Sequence, residues 1–415
     1  MTEPSAIPRP QPRAMRFADF PQRQPLLTAL ALSLGAAIAL GLSRFSYGLL
    51  LPSMRADLDW SYFLAGAMNT ANALGYLLGA LATPWLLRRL SPQRLLFVGA
   101  ILTGLFMLVS GLVTATGVLL SQRILAGISS AFIFIAGGVL AARLGALHPG
   151  RSGLLLGLYY GGTGFGIAAS ALLVPAALAA ATQFGAAHDW QWPWLALAAL
   201  CLLATAAMAA PVHAIPETVQ QAGEHRPFRL RAFAFSLLGY FMFGVGYIGY
   251  MTFVVALLKQ QGMAAPLITV FYALLGLAVV ASSRIWAGML DRFKGGESLA
   301  ILNALLGIAT ILPALTSAAP LVFFSGILFG AVFLSVVAST TALVRHNLPP
   351  QSWSAGITAF TTVFAFGQIV GPSVAGWIAD SVGGLERGLV FSALALFVGA
   401  VLASRQRCLH PEGQK

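Results

Sequence analysis

A chain of 415 residues that is 58% hydrophobic and only 9% charged is too apolar for a soluble domain of that size, and points to an all-α polytopic membrane protein. The net charge of +12 does not indicate nucleic acid, because lysine and arginine are scattered singly through apolar sequence instead of forming one basic stripe. Cys201 lies in an apolar segment and Cys408 in the C-terminal tail, so neither a disulfide framework nor a metal site is expected, and no cofactor is implied.

Residues 1–25 are rich in proline and arginine and lack the short apolar core of a cleaved signal, so they read as a disordered tail. Apolar runs long enough to span a bilayer follow at 26–53, 61–87, 94–114, 118–142, 152–175, 193–210, 233–258, 266–290, 298–316, 320–344, 354–379 and 388–404. That predicts twelve helices, and runs of this length exclude barrel strands. Turn residues and charge coincide at the breaks, as in Arg88-Arg89-Leu90-Ser91-Pro92 and His148-Pro149-Gly150-Arg151. The polar connection 212–232 separates a first six-helix unit, 26–211, from a second, 233–404, with a tail at 405–415.

Within the first run, Arg44 stands among apolar residues, roughly 15 Å in from the boundary set by Pro52 and Arg55. A guanidinium at that depth costs at least about 2.5 kcal/mol and stays protonated, which marks a cavity residue unless the side chain snorkels or caps carbonyls. In the second run, Asn69, Asn72 and Tyr76 recur at helical spacing and share a face at similar depth. Hydrogen bonding between helices accounts for the asparagines equally well. Arg123, in the fourth run, lies nearer the outer surface and reads as structural, while Arg284 reaches the inner interface. The glycines at 161, 162, 164 and 166 mimic a phosphate-binding loop, but no strand precedes them and close helix packing explains them better.

Orientation follows from the basic residues. With the N-terminus in the cytoplasm, eighteen of the 24 lysines and arginines fall in inside loops and tails, and Arg55, Lys259 and Arg387 are the three outside. Both termini are then cytoplasmic. A shift of 203 residues superposes six glycine pairs in one register, among them Gly41 on Gly244, Gly127 on Gly330 and Gly164 on Gly367, and also sets Tyr47 on Tyr250. Two six-helix bundles related by a pseudo-twofold axis, with a site between them near the midplane, is the expected transporter architecture.

Three stretches carry a family resemblance. Gly288-Met289-Leu290-Asp291-Arg292-Phe293-Lys294-Gly295-Gly296 resembles the cytoplasmic loop signature of the major facilitator superfamily. Arg123-Ile124-Leu125-Ala126-Gly127 is similar to its buried arginine motif, and Gly367-Gln368-Ile369-Val370-Gly371-Pro372 to its pattern in the eleventh helix. The run RFSYGLLLPSMRADL, with NTANALGYLLGAL, resembles the bacterial YbfB/YjiJ branch, and the likeness covers residues 26 to 404. It implies an alternating-access transporter with a small-molecule substrate, working as a monomer in the inner membrane of a bacterium. The resemblance departs at Arg88-Arg89, where the first-half loop has lost the acidic residue that Asp291 keeps in the second. The fifth run also lacks the proline of the drug antiporter motif.

Depth then furnishes a candidate site: Arg44, Tyr47, Asn69, Asn72 and Tyr76, with Tyr159 and Tyr160 from the fifth run, Tyr247 and Tyr250 at the repeat partners of Arg44 and Tyr47, and Gln368. Ordinary packing explains any single aromatic among them. Gating is assigned to Arg88, Arg89, Arg123, Arg284, Asp291, Arg292 and Asp380, with Asp291 pairing with Arg284, Arg292 or a neighbouring basic residue when the outer side opens. All twelve Asp and Glu fall in loops, tails or helix ends, so the cavity complements an anion, and arginine pairs with carboxylate oxygens. A small organic carboxylate with an apolar or aromatic part, moved by efflux or exchange, is the expected cargo. The alternatives are a multidrug or amphiphile exporter and a membrane sensor that does not transport. An enzyme is not expected, since no acid, base or nucleophile clusters within the apolar runs.

Overall fold

A computed structural model describes residues 20–216, 230–349 and 352–409, and within them the chain is almost wholly helical. Twelve long helices cross the molecule: α1 (Pro25–Asp57), α2 (Tyr62–Leu86), α3 (Pro92–Ser110), α4 (Thr116–Leu147), α5 (Ser152–Gln183), α6 (Gln191–His213), α7 (Ala234–Gln260), α8 (Ala265–Ile285), α9 (Glu297–Leu315), α10 (Ala319–Asn347), α11 (Trp353–Ala379) and α12 (Gly384–Ser404). All but α2 are long and apolar enough to span a bilayer on composition alone; in α2 the two asparagines dilute an otherwise apolar helix that carries no charge. Even crossings put both described ends and the α6–α7 connection on one side, here the terminal face, and the α1–α2, α7–α8 and α11–α12 turns on the opposite, far face.

Several helices outrun their sequence boundaries. The fourth continues to Leu147 and the fifth passes through Pro175 to Gln183, because packing against neighbours tolerates the amide that proline lacks. At the start, Phe20–Arg23 forms a helical turn whose Pro21 oxygen contacts His148 Nε2 at 3.1 Å. Residues 1–19, most of the 212–232 connection and 410–415 lie outside the described residues.

The internal repeat is visible in the packing. Gly127 sits against the Asn72 oxygen, and Gly330, 203 residues on, sits against that of Leu275, so α2–α4 and α8–α10 approach in the same way. A side chain at either glycine would strike backbone, which is why small residues recur there. The glycine run of α5 serves the same end: Gly162 abuts Ser33, Gly166 abuts Gly41 of α1, and Gly164 abuts Gly276 of α8 in the other bundle.

The two six-helix bundles meet through α1 on α7, α2 on α11 and α5 on α8. Hydrogen bonds join them from the far face down to mid-depth. Asp380, at the end of α11, accepts from the backbone amides of Tyr62 and Phe63 at 2.7 and 2.8 Å, capping the first turn of α2. Thr70 donates to the Ile369 oxygen and meets Ser373 Oγ at 2.8 Å, and Asn69 Nδ2 donates to Thr252 Oγ1 at 2.7 Å. Gly66 and Gly376 let α2 and α11 close onto each other's backbone. The far side is therefore sealed.

A carboxylate at a helix N-terminus gains from both the free amides and the dipole. Asp380→Asn keeps one acceptor and loses the charge, so the far side should open more often. A cysteine placed at Thr70 should then react with a membrane-impermeant thiol reagent several-fold faster than in the parent; an unchanged rate would remove Asp380 from the seal.

Candidate anion site around Arg44

The first helix is not uniformly α. From Ala37 to Phe45 it is wound as a π-helix, and the Ser46 amide closes back onto the Gly41 oxygen, five residues earlier. Wide turns of this kind are rare and concentrate at functional sites. Gly41 and Gly166 make room for it, since a Cβ on Gly41 would run into the α5 backbone. Arg44 lies in the last turn of this segment.

Arg44 is 3% exposed, and its Nε and Nη2 atoms are buried without a hydrogen-bond partner. The Tyr76 ring lies 6.0 Å from the guanidinium carbon, and the charge also acts on the hydroxyl of Tyr247 across the bundle interface. Tyr247 is itself fixed, donating to Gln368 Oε1 at 2.6 Å. Tyr160 is an electrostatic neighbour of Tyr76 and is 37% exposed. The structure thus brings together Arg44, Tyr76, Tyr160, Tyr247 and Gln368.

Beside them stands an aromatic wall. Tyr240, Phe243, Tyr247 and Phe364 stack at centroid distances of 4.8 to 5.5 Å, Phe333 lies 5.2 Å from Tyr247, and Phe45 of α1 meets Phe333 edge-on at 5.6 Å. The phenylalanines were not among the sequence candidates; single Phe residues in apolar helices carry no signal of their own, and the stack forms only when α7, α10 and α11 come together.

The remaining candidates are engaged elsewhere. Tyr47 donates to the Ala65 oxygen at 2.8 Å, Tyr159 to that of Phe134 at 2.8 Å, and Tyr250 shares a 2.7 Å bond with Ser325 Oγ, each within its own bundle. Asn72 Nδ2 donates to the Arg123 oxygen, leaving its Oδ1 buried without a partner. Asn69 is bonded twice, to Thr252 and, through Oδ1, to Arg123.

Arg123 departs from its expected place near the surface. It is 4% exposed, because its long side chain runs inward from the far end of α4 between α1 and α2. Nη1 donates to the Ser43 oxygen at 2.7 Å, Nη2 to Asn69 Oδ1 at 2.9 Å and Nε to the Met68 oxygen at 3.4 Å, and the rings of Tyr47 and Trp194 lie 5.0 and 5.8 Å away. The two buried arginines therefore differ in kind: Arg123 is bonded throughout, and Arg44 has donors to spare.

On the terminal face, Arg88, Arg89, Arg284, Asp291 and Arg292 are exposed, with Arg89 over the Trp85 ring at 4.6 Å and Arg292 over Phe293 at 5.8 Å. The pairing expected of Asp291 belongs to the state with the far side open, and in this sealed state no ion pair of Asp291 is seen among the described residues. On the far face a cleft of about 500 Å³ is lined by Pro52, Asp57, Asp189 and Lys259. Its acids are engaged, Asp57 with His188 at 2.7 Å and with Trp190 Nε1 at 2.6 Å, and Asp189 with Ser53. The cleft is separate from Arg44.

Comparison with known proteins bears on what this arrangement serves. The family described as the uncharacterised MFS-type transporter YbfB matches residues 36–404. The Escherichia coli K12 inner membrane transport protein YdhP is 27% identical over 388 residues, covering 90% of this chain and 92% of that protein. An Agrobacterium vitis protein named "Putative tartrate transporter" is 30% identical over 159 residues, and the match spans only 33% of its length. Among solved structures, a bacterial homologue of the human lysosomal transporter Spinster, inward-facing and occupied, superposes with a TM-score of 0.71 at 16% identity, over 93% of this chain and 98% of that one. The human organic anion transporter MFSD10 gives 0.63 at 16% identity, over 92% and 99%. At such identities these two structures speak to the fold alone.

Proposed function

The chain belongs to the family of the MFS-type transporter YbfB, and on that footing we propose that it moves a small organic anion, a carboxylate with an apolar or aromatic part, by binding it at Arg44. Secondary transport by alternating access is the family's mode, and the protein is a multi-pass membrane protein. The observation that carries the anion reading is the buried guanidinium with two donor atoms and no acceptor. Burying a cation at mid-bilayer costs at least about 2.5 kcal/mol, and a ligand carboxylate offers the paired oxygens that would offset it. The wall of Phe243, Phe333 and Phe364 suits the apolar part of such a ligand.

The same wall favours a second reading, an amphiphile or drug exporter in which the rings do most of the binding. A thermal-shift screen of the purified protein against organic acids, amines and neutral amphiphiles separates the two, because a ligand of the folded state raises its apparent stability. Acids should stabilise it. Stabilisation by amines or neutral amphiphiles alone would discard the anion reading in favour of the second.

The spread of basic residues supports a terminal face in the cytoplasm, with the far face outside. The sealed far side then makes this a state that loads from within. Arginine cannot release a proton in the pathway, and tyrosine carries one poorly near neutral pH. An inside-negative potential drives an unpaired anion outward with about 2.3 kcal/mol per 100 mV. Efflux or exchange fits better than proton-driven uptake, with Asp291 acting in the inner gate and Asp380 in the outer. A monomer suffices for all of this.

A further inference from the structure

Tyr272 of α8 is fully buried, and its hydroxyl donates to the backbone oxygen of Phe45, in the opposite bundle, at 2.7 Å. That oxygen is available because of the π-helix. In an α-helix the Leu49 amide would claim it, but here the Leu49 amide bonds the Ser46 oxygen. One position before Arg44, the Ser43 oxygen is held by Arg123 Nη1 at 2.7 Å. Arg44 is thus bracketed by two carbonyls, one gripped from α4 in its own bundle and one gripped from α8 in the other.

The repeat adds a second bond of the same kind. Asn69 lies 203 residues before Tyr272, and it too reaches across the interface, to Thr252 of α7 at 2.7 Å. Asn69 also accepts from Arg123, so both crossing bonds end, directly or through one side chain, on the wide turn that carries Arg44. A buried phenol is costly to leave unbonded, so separating α8 from α1 carries the cost of breaking this bond.

We propose that Tyr272 is a positioning residue for Arg44: its bond to the Phe45 carbonyl holds the π-turn, and with it the direction of the guanidinium, only while the far side is closed. Opening the far side breaks the bond, lets α1 rewind and turns Arg44 away from its anion. Closure on one face is thereby converted into affinity at the site, as export requires. The inference rests on Arg44 being the anion-binding residue.

The test is hydrogen–deuterium exchange in lipid nanodiscs, read on peptides spanning residues 37–46. The far side is locked by Thr70→Cys with Ser373→Cys, whose hydroxyls stand 2.8 Å apart and so suit a disulfide. Oxidising the lock should slow exchange in this segment about tenfold in the otherwise native chain. Tyr272→Phe, which removes only the hydroxyl, should abolish that difference, whereas Thr252→Val, which leaves Tyr272 in place, should preserve most of it. A lock with no effect on this segment in the otherwise native chain, or an undiminished effect in Tyr272→Phe, would overturn the proposal; the first outcome does so even if the tyrosine variant fails to fold. Arg44→Met separates the two levels. If it transports normally while the lock still acts through Tyr272, the anion reading falls and the coupling stands.

Discussion

Arg44→Met is expected to abolish saturable transport, by at least about a hundredfold, while leaving the ligand-free protein as stable as before or more so. The substitution keeps the unbranched apolar stem and removes the guanidinium, a cation whose Nε and Nη2 atoms have no partner. A burial cost of at least about 2.5 kcal/mol disappears with the charge and outweighs the packing lost with the shorter side chain, which would raise the apparent melting temperature by roughly a few degrees. Loss of function with gain of stability is the signature of a residue kept for its ligand. Arg44→Lys should transport partially, since the charge survives and the planar fork does not. A merely structural arginine would behave in the opposite way, losing stability and function together.

Arg123→Ala supplies that opposite case. Its guanidinium satisfies the Ser43 oxygen and Asn69 Oδ1 at short range, and both would be left buried and unpaired. Each orphaned acceptor costs about 1 to 3 kcal/mol, so the folded state should lose at least about 3 kcal/mol once the cavity is included. The expected result is poor accumulation in the membrane and a melting temperature lowered by several degrees, before any transport assay is run. Lysine cannot reach three acceptors with one ammonium and should rescue little. A variant of normal stability that fails only in transport would move Arg123 into the substrate site.

What could be read from the sequence depended on range. Twelve apolar runs and an arginine deep within the first of them are local signals, and the bilayer makes them strong, because each span must satisfy its own backbone. The 203-residue repeat was equally legible, and reappears as Gly127 and Gly330 in equivalent contacts. The partners were not legible. Asn69 and Asn72 share a helical face by spacing, yet one bonds across to Thr252 and the other turns to α4, which periodicity cannot distinguish. The sequence gives the depth of Arg123's backbone, whereas its side chain works deeper. Tyr272 carries no signal in the sequence, since a tyrosine in an apolar helix reads as packing and its acceptor is free only where α1 is wound wide. Asp380 stood out as a helix-end acid, but the amides it caps lie 318 and 317 residues away in the chain.

The most direct test of an anion carried on Arg44 is efflux from proteoliposomes preloaded with the organic acid that most stabilises the purified protein. The protein is oriented with its terminal face inward, and an inside-negative potential is imposed without a pH gradient. Wild-type protein should release the anion faster as the potential is raised, and Arg44→Met should stay at the leak rate of protein-free vesicles. Efflux by Arg44→Met at the wild-type rate and affinity, or a wild-type flux that ignores voltage and follows only an imposed pH gradient, would contradict the account.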